Sequence, residues 1–232
     1  MTLPAGALLG LVGGPLTVGA ALVLTACGGG SATLNGEQHK SAAEVIADAE
    51  QALAAAHSVH VVAESTSGGQ QAHVDLHLTG SNAIGSITTG TANISLITVG
   101  STAYVKGYGS QLSPALAARL RNTWIKQSTA AGQGAFTIEA ISTSLTRAFT
   151  PSGSVTRGQL HGRPVVIVHG TDQGQSAAIW IANTGPAYPL RLVGTATGTA
   201  SLDLQDYDAP VRITAPTSAL DATQVAKLTA GS

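Results

Sequence analysis

The sequence predicts an α+β protein built on a strongly curved antiparallel sheet of about eleven strands. Three observations carry that expectation. A helix-period segment ending near residue 56 gives way at His57 to runs with a period of two. Glycines at 80, 90 and 100 close successive strand-length segments, and glycine takes the positive φ that tight hairpin turns demand. After Pro151 the strand pattern resumes. So many sequential antiparallel strands curl, because twist accumulates across a sheet.

The elements follow in order. In "SAAEVIADAEQALAAAH", Ser41 and Glu44 stand as S-x-x-E, a capping box at the start of a helix over roughly 41–56. Ile46, Ala49, Leu53 and Ala56 share one face of it, a shallow, alanine-rich face suited to close packing on a sheet. "SVHVVAEST" is a strand, and "QAHVDLHLTG" sets Val74, Leu76 and Leu78 against His73, Asp75 and His77. "NAIGSITT", "TANISLITV" and "STAYVK" continue an antiparallel meander. In "SPALAARLRNTW", Ser113 caps and Pro114 opens a brief helix. Phe136, Ile138, Ile141, Leu145 and Phe149 mark a second helical segment, although its β-branched content also suits a strand. "GSVTRGQLHGRPVVIVHGT" is a hairpin turning at His161-Gly162. "SAAIWIAN", "YPLRLVG" and "TASLDLQDYD" follow as strands, "APVRITAP" closes the sheet, and "SALDATQVAKL" forms a short terminal helix.

The N-terminal region carries a different message. Residues 3–26 hold no charge and end in small residues, like the apolar region of a secretory signal peptide. The first basic residue is Lys40, so either the amino terminus supplies the charge or the natural start lies upstream of Met1. Leu24-Thr25-Ala26-Cys27 resembles the bacterial lipobox. That resemblance implies cleavage between Ala26 and Cys27, a diacylglyceryl group on the Cys27 sulfur, and anchorage to the outer face of the cell membrane. Residues 1–26 are then a lipoprotein signal peptide, 27–40 a flexible tether, and 41–232 a single domain. Cys27 is the only cysteine, so it has no disulfide or CxxC partner.

Composition narrows the classes further. A net charge of −1 and the lack of a basic patch give no sign of a nucleic-acid partner. Aromatic residues make up 3% of the chain, so the core is aliphatic, with few rigid aromatic anchors.

The stretches "AHSVHVVAEST", "LITVGSTAYVKG" with "TWIKQS", "GQLHGRPVVIVHGT", and "AIWIANTGPAYPLRLV" with "LDLQDYDAPVRITAP" resemble the LppX/LprG group of actinobacterial lipoproteins over roughly 41–216. The group shares the half-barrel of the LolA and LolB lipoprotein carriers. The resemblance implies an eleven-stranded half-barrel with helices packed across its open concave face, and a cavity for the acyl chains of lipids or lipoglycans. It also implies binding and transport of a lipid or glycolipid without catalysis and without a cofactor. Val74, Leu76, Leu78, Ile94, Leu96, Val165, Ile167, Ile179 and Ile181 are the candidates to line that cavity. The same residues serve equally as a ligand-free core. The alternatives are a non-carrier surface lipoprotein, acting as a protein-interaction or sensing module, and a metal-binding lipoprotein.

The metal alternative rests on H-x-D-x-H, His73, Asp75 and His77, whose side chains share one face of a strand, with His57 and His60 nearby. A polar outer surface explains the same pattern. The chain has no G-x-S-x-G, HExxH or G-x-x-x-x-G-K-[ST]. "GTATGTAS" joins strands and opens no helix. Asp203, Asp206 and Asp208 lack the glycine and glutamate of a calcium loop. The expectation is therefore a protein that is not an enzyme and carries no cofactor.

Overall fold

The computed structural model describes residues 33–107, 118, 120–128, 136–172, 174–194 and 198–230. The chain divides into Met1–Ser31 and Ala32–Ser232, and all described residues belong to the second unit. Ala26 and Cys27 lie outside the described residues, as does most of the helix expected from Ser113, of which Ala118 and Leu120 are described and helical.

The first helix, α1 (Ala42–Ala55), starts where its capping box places it: the Ser41 hydroxyl accepts from the Glu44 N–H, and the Glu44 side chain accepts from the Ser41 N–H. These reciprocal bonds satisfy donors that every helix N-terminus leaves unpaired. Five hairpin-linked strands follow, β1 (Val59–Ser67), β2 (Gln70–Thr79), β3 (Asn82–Thr89), β4 (Ala92–Val99) and β5 (Thr102–Lys106), then β6 (Ile125–Ser128). Gly80, Gly90 and Gly100 turn these hairpins with φ of 54°, 57° and 57°. The second helix, α2 (Ile138–Ala148), is capped by the Thr137 hydroxyl and leads into a three-residue strand, β7 (Phe149–Pro151). Then come β8 (Thr156–Leu160), β9 (Arg163–Asp172), β10 (Gln175–Ala182), β11 (Pro189–Gly194), β12 (Gly198–Gln205) and α3 (Ala222–Ala230).

The strands form one open antiparallel sheet in the order β6-β5-β4-β3-β2-β1-β12-β11-β10-β9, with β7 and β8 both pairing with β9. The decisive pairing is β1 with β12, which runs from His60↔Gln205 to Ser67↔Gly198 and joins the two meanders. The result is the curved half-barrel of the α+β class. Helices α1 and α2 cover part of its concave face: Val45 and Leu53 share a buried cluster with Val61, Leu76, Leu78, Val166, Ile179, Ile181 and Leu204, and Ile138, Leu145 and Phe149 complete it. Each such aliphatic side chain taken from water contributes about 1.5–3 kcal/mol to stability.

Three differences from the sequence expectation have local causes. The tether does not extend to residue 40. Leu34 bridges Thr184, the Asn35 amide donates to the Ala182 and Gly185 carbonyls at 3.0 Å each, and Glu37–His39 forms a 3-10 turn. "APVRITAP" is not a strand: Ala209, Val211 and Ile213 are half-buried and Pro210, Arg212 and Thr214 exposed, so the alternation records one covered side of an unpaired segment. That segment leads from β12, mid-sheet, to the β6 edge, where Leu220 exchanges backbone hydrogen bonds with Trp124 and Lys126. Phe136 precedes α2 and is exposed, because Thr137 caps the helix behind it.

Candidate functional site: the concave face

Register decides what each strand presents. In an antiparallel sheet, directly opposed residues point to the same side. One row therefore crosses six strands on the concave face: Ile94, Ile87, Val74, Ala63, Leu202 and Leu192, each opposite the next. All six are half-buried. The adjoining row, Leu96, Gly85, Leu76, Val61 and Leu204, is deeper, and its four side chains are buried. The concave face thus grades from packed core to an accessible apolar strip.

The residues anticipated as cavity lining divide accordingly. Val74 and Ile94 lie in the accessible row; Leu76, Leu78, Leu96, Ile179 and Ile181 face the same side but are buried. Val165 and Ile167 do not join them. Opposite β10, it is Val166 and Val168 that pair with Ile181 and Ile179, so Val165 and Ile167 point to the other face. There they pack with Ala182, Leu190, Leu160 and Trp180 in a separate cluster. Its Tyr188 and Tyr207 rings stack with centroids 3.9 Å apart. Burial pushes the Tyr188 hydroxyl up to about 12, with the neighbouring Asp208 carboxylate adding to the shift. Burial also raises Tyr207.

A cavity of about 450 Å³ opens between α1, α2 and the β2–β3 turn, lined by Glu50, Ala54, Gly80, Thr137, Ile138 and Glu139 among others. Its lining mixes carboxylates and hydroxyls with alanine, glycine and isoleucine. Sequence reasoning read Gly80 as a turn and Ile138 as a helix face and placed none of these residues at a site, since only the docking of α2 on α1 assembles them; the Ser142 hydroxyl donates to the Glu50 carbonyl across that docking.

The H-x-D-x-H motif is rearranged by the cross-strand partner. His73 lies opposite Glu64, 3.6 Å from its carboxylate. His77 lies opposite His60, and the two rings stack with centroids 4.1 Å apart. Asp75 approaches His60 Nε2 at 2.9 Å. Asp75 and His77 are therefore brought together with His60, not with His73. Asp206 stands 3.4 Å from His60 Nδ1, Asp203 pairs with Arg191, and Asp208 is held below the usual carboxylate range first by the Tyr188 hydroxyl and then by the His57 backbone N–H.

No family model and no curated protein matches the chain. Among solved structures, LprF from Mycobacterium bovis is similar over 76% of this chain and 97% of its own, with 18% identity and a TM-score of 0.56. The chain has the LppX/LprG-type fold. Mycobacterium tuberculosis lipoprotein LppX covers 75% of this chain and 98% of its own at 17% identity and a TM-score of 0.48. An uncharacterized conserved protein from Thermus thermophilus covers 79% and 99% at 11% identity and a TM-score of 0.43. In this LppX/LprG-type fold the concave side carries the accessible apolar row and the helices, while the histidine cluster lies on the opposite side of β1 and β2.

Proposed function

We propose that the protein is a membrane-anchored lipoprotein that binds the acyl chains of a lipid or glycolipid on the concave face and carries the lipid without covalent chemistry. In this reading residues 1–26 are removed, Cys27 bears the diacylglyceryl anchor outside the cell membrane, and residues after it tether the domain. Two acyl chains make such anchorage durable. The observation that carries the proposal is the half-buried row Ile94, Ile87, Val74, Ala63, Leu202 and Leu192, which spans six strands. A methylene moved from water to an apolar surface gains about 0.8 kcal/mol, so a strip of this kind offers an acyl chain an environment comparable to a bilayer. The carboxylates and hydroxyls of the cavity between α1 and α2 suit a polar head at one end.

Native mass spectrometry of the full chain, with organic extraction of what accompanies it, tests the proposal. A stoichiometric lipid is expected. A protein that is empty and takes up neither added phospholipid nor glycolipid would overturn it in favour of an interaction or sensing module.

A further inference from the structure

We propose that His60, His77 and Asp75 form a binding site for a divalent transition-metal ion of the zinc, nickel or copper class on the convex side of the sheet. His60 and His77 are directly opposed on β1 and β2, and Asp75 lies two residues from His77 on the same face. One donor atom from each of the three lies within 4.8 Å of the others. Zinc keeps such donors at about 2.0–2.2 Å from itself, hence about 3.4 Å from one another in a tetrahedron. Side-chain rotation alone closes the set, turning the two rings out of their stack so that both lone pairs point to one ion.

The surroundings fit a cation. Asp206 Oδ2 stands 3.4 Å from His60 Nδ1, and the Gln205 amide Nε2 lies 3.1 Å from the same nitrogen. Metal binding selects the tautomer in which Nδ1–H donates to Asp206 and Nε2 is free to ligate, the usual arrangement behind a metal-bound imidazole. The Gln205 amide, whose nitrogen faces Nδ1, then turns its oxygen toward it. The nearby cation Arg191 is engaged by Asp203, leaving Asp75 and Asp206 to face the site with the negative charge. Two imidazoles and one carboxylate select zinc, nickel or copper over magnesium or calcium, which prefer all-oxygen shells. Three protein ligands leave a further position for water or for a group from another molecule. The site is independent of the lipid reading, since it lies on the opposite face of β1 and β2.

The test is equilibrium dialysis of the untagged, chelator-stripped full chain against zinc and nickel, with magnesium for comparison and the bound metal quantified by elemental analysis. One equivalent of zinc or nickel is expected. His77→Ala and Asp75→Asn should each weaken binding tenfold or more, while His73→Ala, two residues beyond Asp75 on the same face, leaves it unchanged. Melting in chelator identifies any variant that has lost its fold; should His77→Ala do so, Asp75→Asn decides. Wild-type binding no tighter than that of the folded ligand variants, or an equal loss in His73→Ala, overturns the site.

Discussion

A Cβ placed on Gly85 would stand 1.9 Å from the Asp75 carbonyl oxygen and 2.9 Å from the Leu76 Cα. Gly85 has a φ of 155° in the middle of β3 and sits between Leu76 and Leu96 in the deep concave row. The obstacle is backbone on a central strand, which cannot swing aside as a side chain can. Gly85→Ala should therefore lose upwards of about 3 kcal/mol from combined overpacking and strain. Gly90→Ala, at a turn with open space around it, should lose only about 1–2 kcal/mol for its left-handed conformation. Urea unfolding of both variants checks the order; equal losses would show that β3 yields.

The two concave rows predict opposite phenotypes. Leu76 is 1% exposed, so Leu76→Ala should cost about 2–5 kcal/mol. Val74 and Ile94 are half-buried, and replacing both by serine makes the accessible row polar at a smaller packing cost than truncating a fully buried side chain. The double variant should retain several-fold less lipid in extraction than wild type and melt within a few degrees of it. Undiminished lipid in that variant would remove the row from the binding surface.

Tyr188 and Asp208 give the fold a pH signature on both sides of neutrality. The Tyr188 hydroxyl donates to Asp208 Oδ2 at 2.6 Å. The lowered Asp208 contributes stability that is complete above its ordinary value of about 3.9 and is lost as pH falls through its lower folded value. The raised Tyr188 contributes stability that is complete below 10.0 and is lost as pH rises through about 12. Tyr188→Phe should cost about 0.5–1 kcal/mol at neutral pH, a solvent-screened hydrogen bond. It should also move the acid loss upward and abolish the tyrosine's alkaline loss. Denaturant midpoints measured from pH 2.5 to 12 would show this; superimposable profiles would dismiss the pair as a determinant.

Much of the fold was legible locally. The Ser41/Glu44 box, the Gly80, Gly90 and Gly100 turns, and the His161-Gly162 hairpin each depend on a few adjacent residues. The curvature followed from the number of antiparallel strands. The candidate site was legible only in part. Val74, Leu76 and Leu78 alternate cleanly with polar residues, so their shared face could be read. "PVVIV" is apolar in both phases, so alternation could not choose between Val165/Ile167 and Val166/Val168; pairing with β10 did.

By itself, then, the sequence determined most of the elements, their antiparallel class and the polarity of the strands' faces, because these arise from neighbours along the chain. Only the tertiary structure decided which residues meet. His77 faces His60 from the preceding strand, β1 takes β12 as its second partner about 145 positions away, and the 209–213 alternation has no strand to pair with. Such meetings depend on register between strands and on how helices dock. Those are settled by the burial and hydrogen bonding of the whole sheet, not by any local pattern of residues.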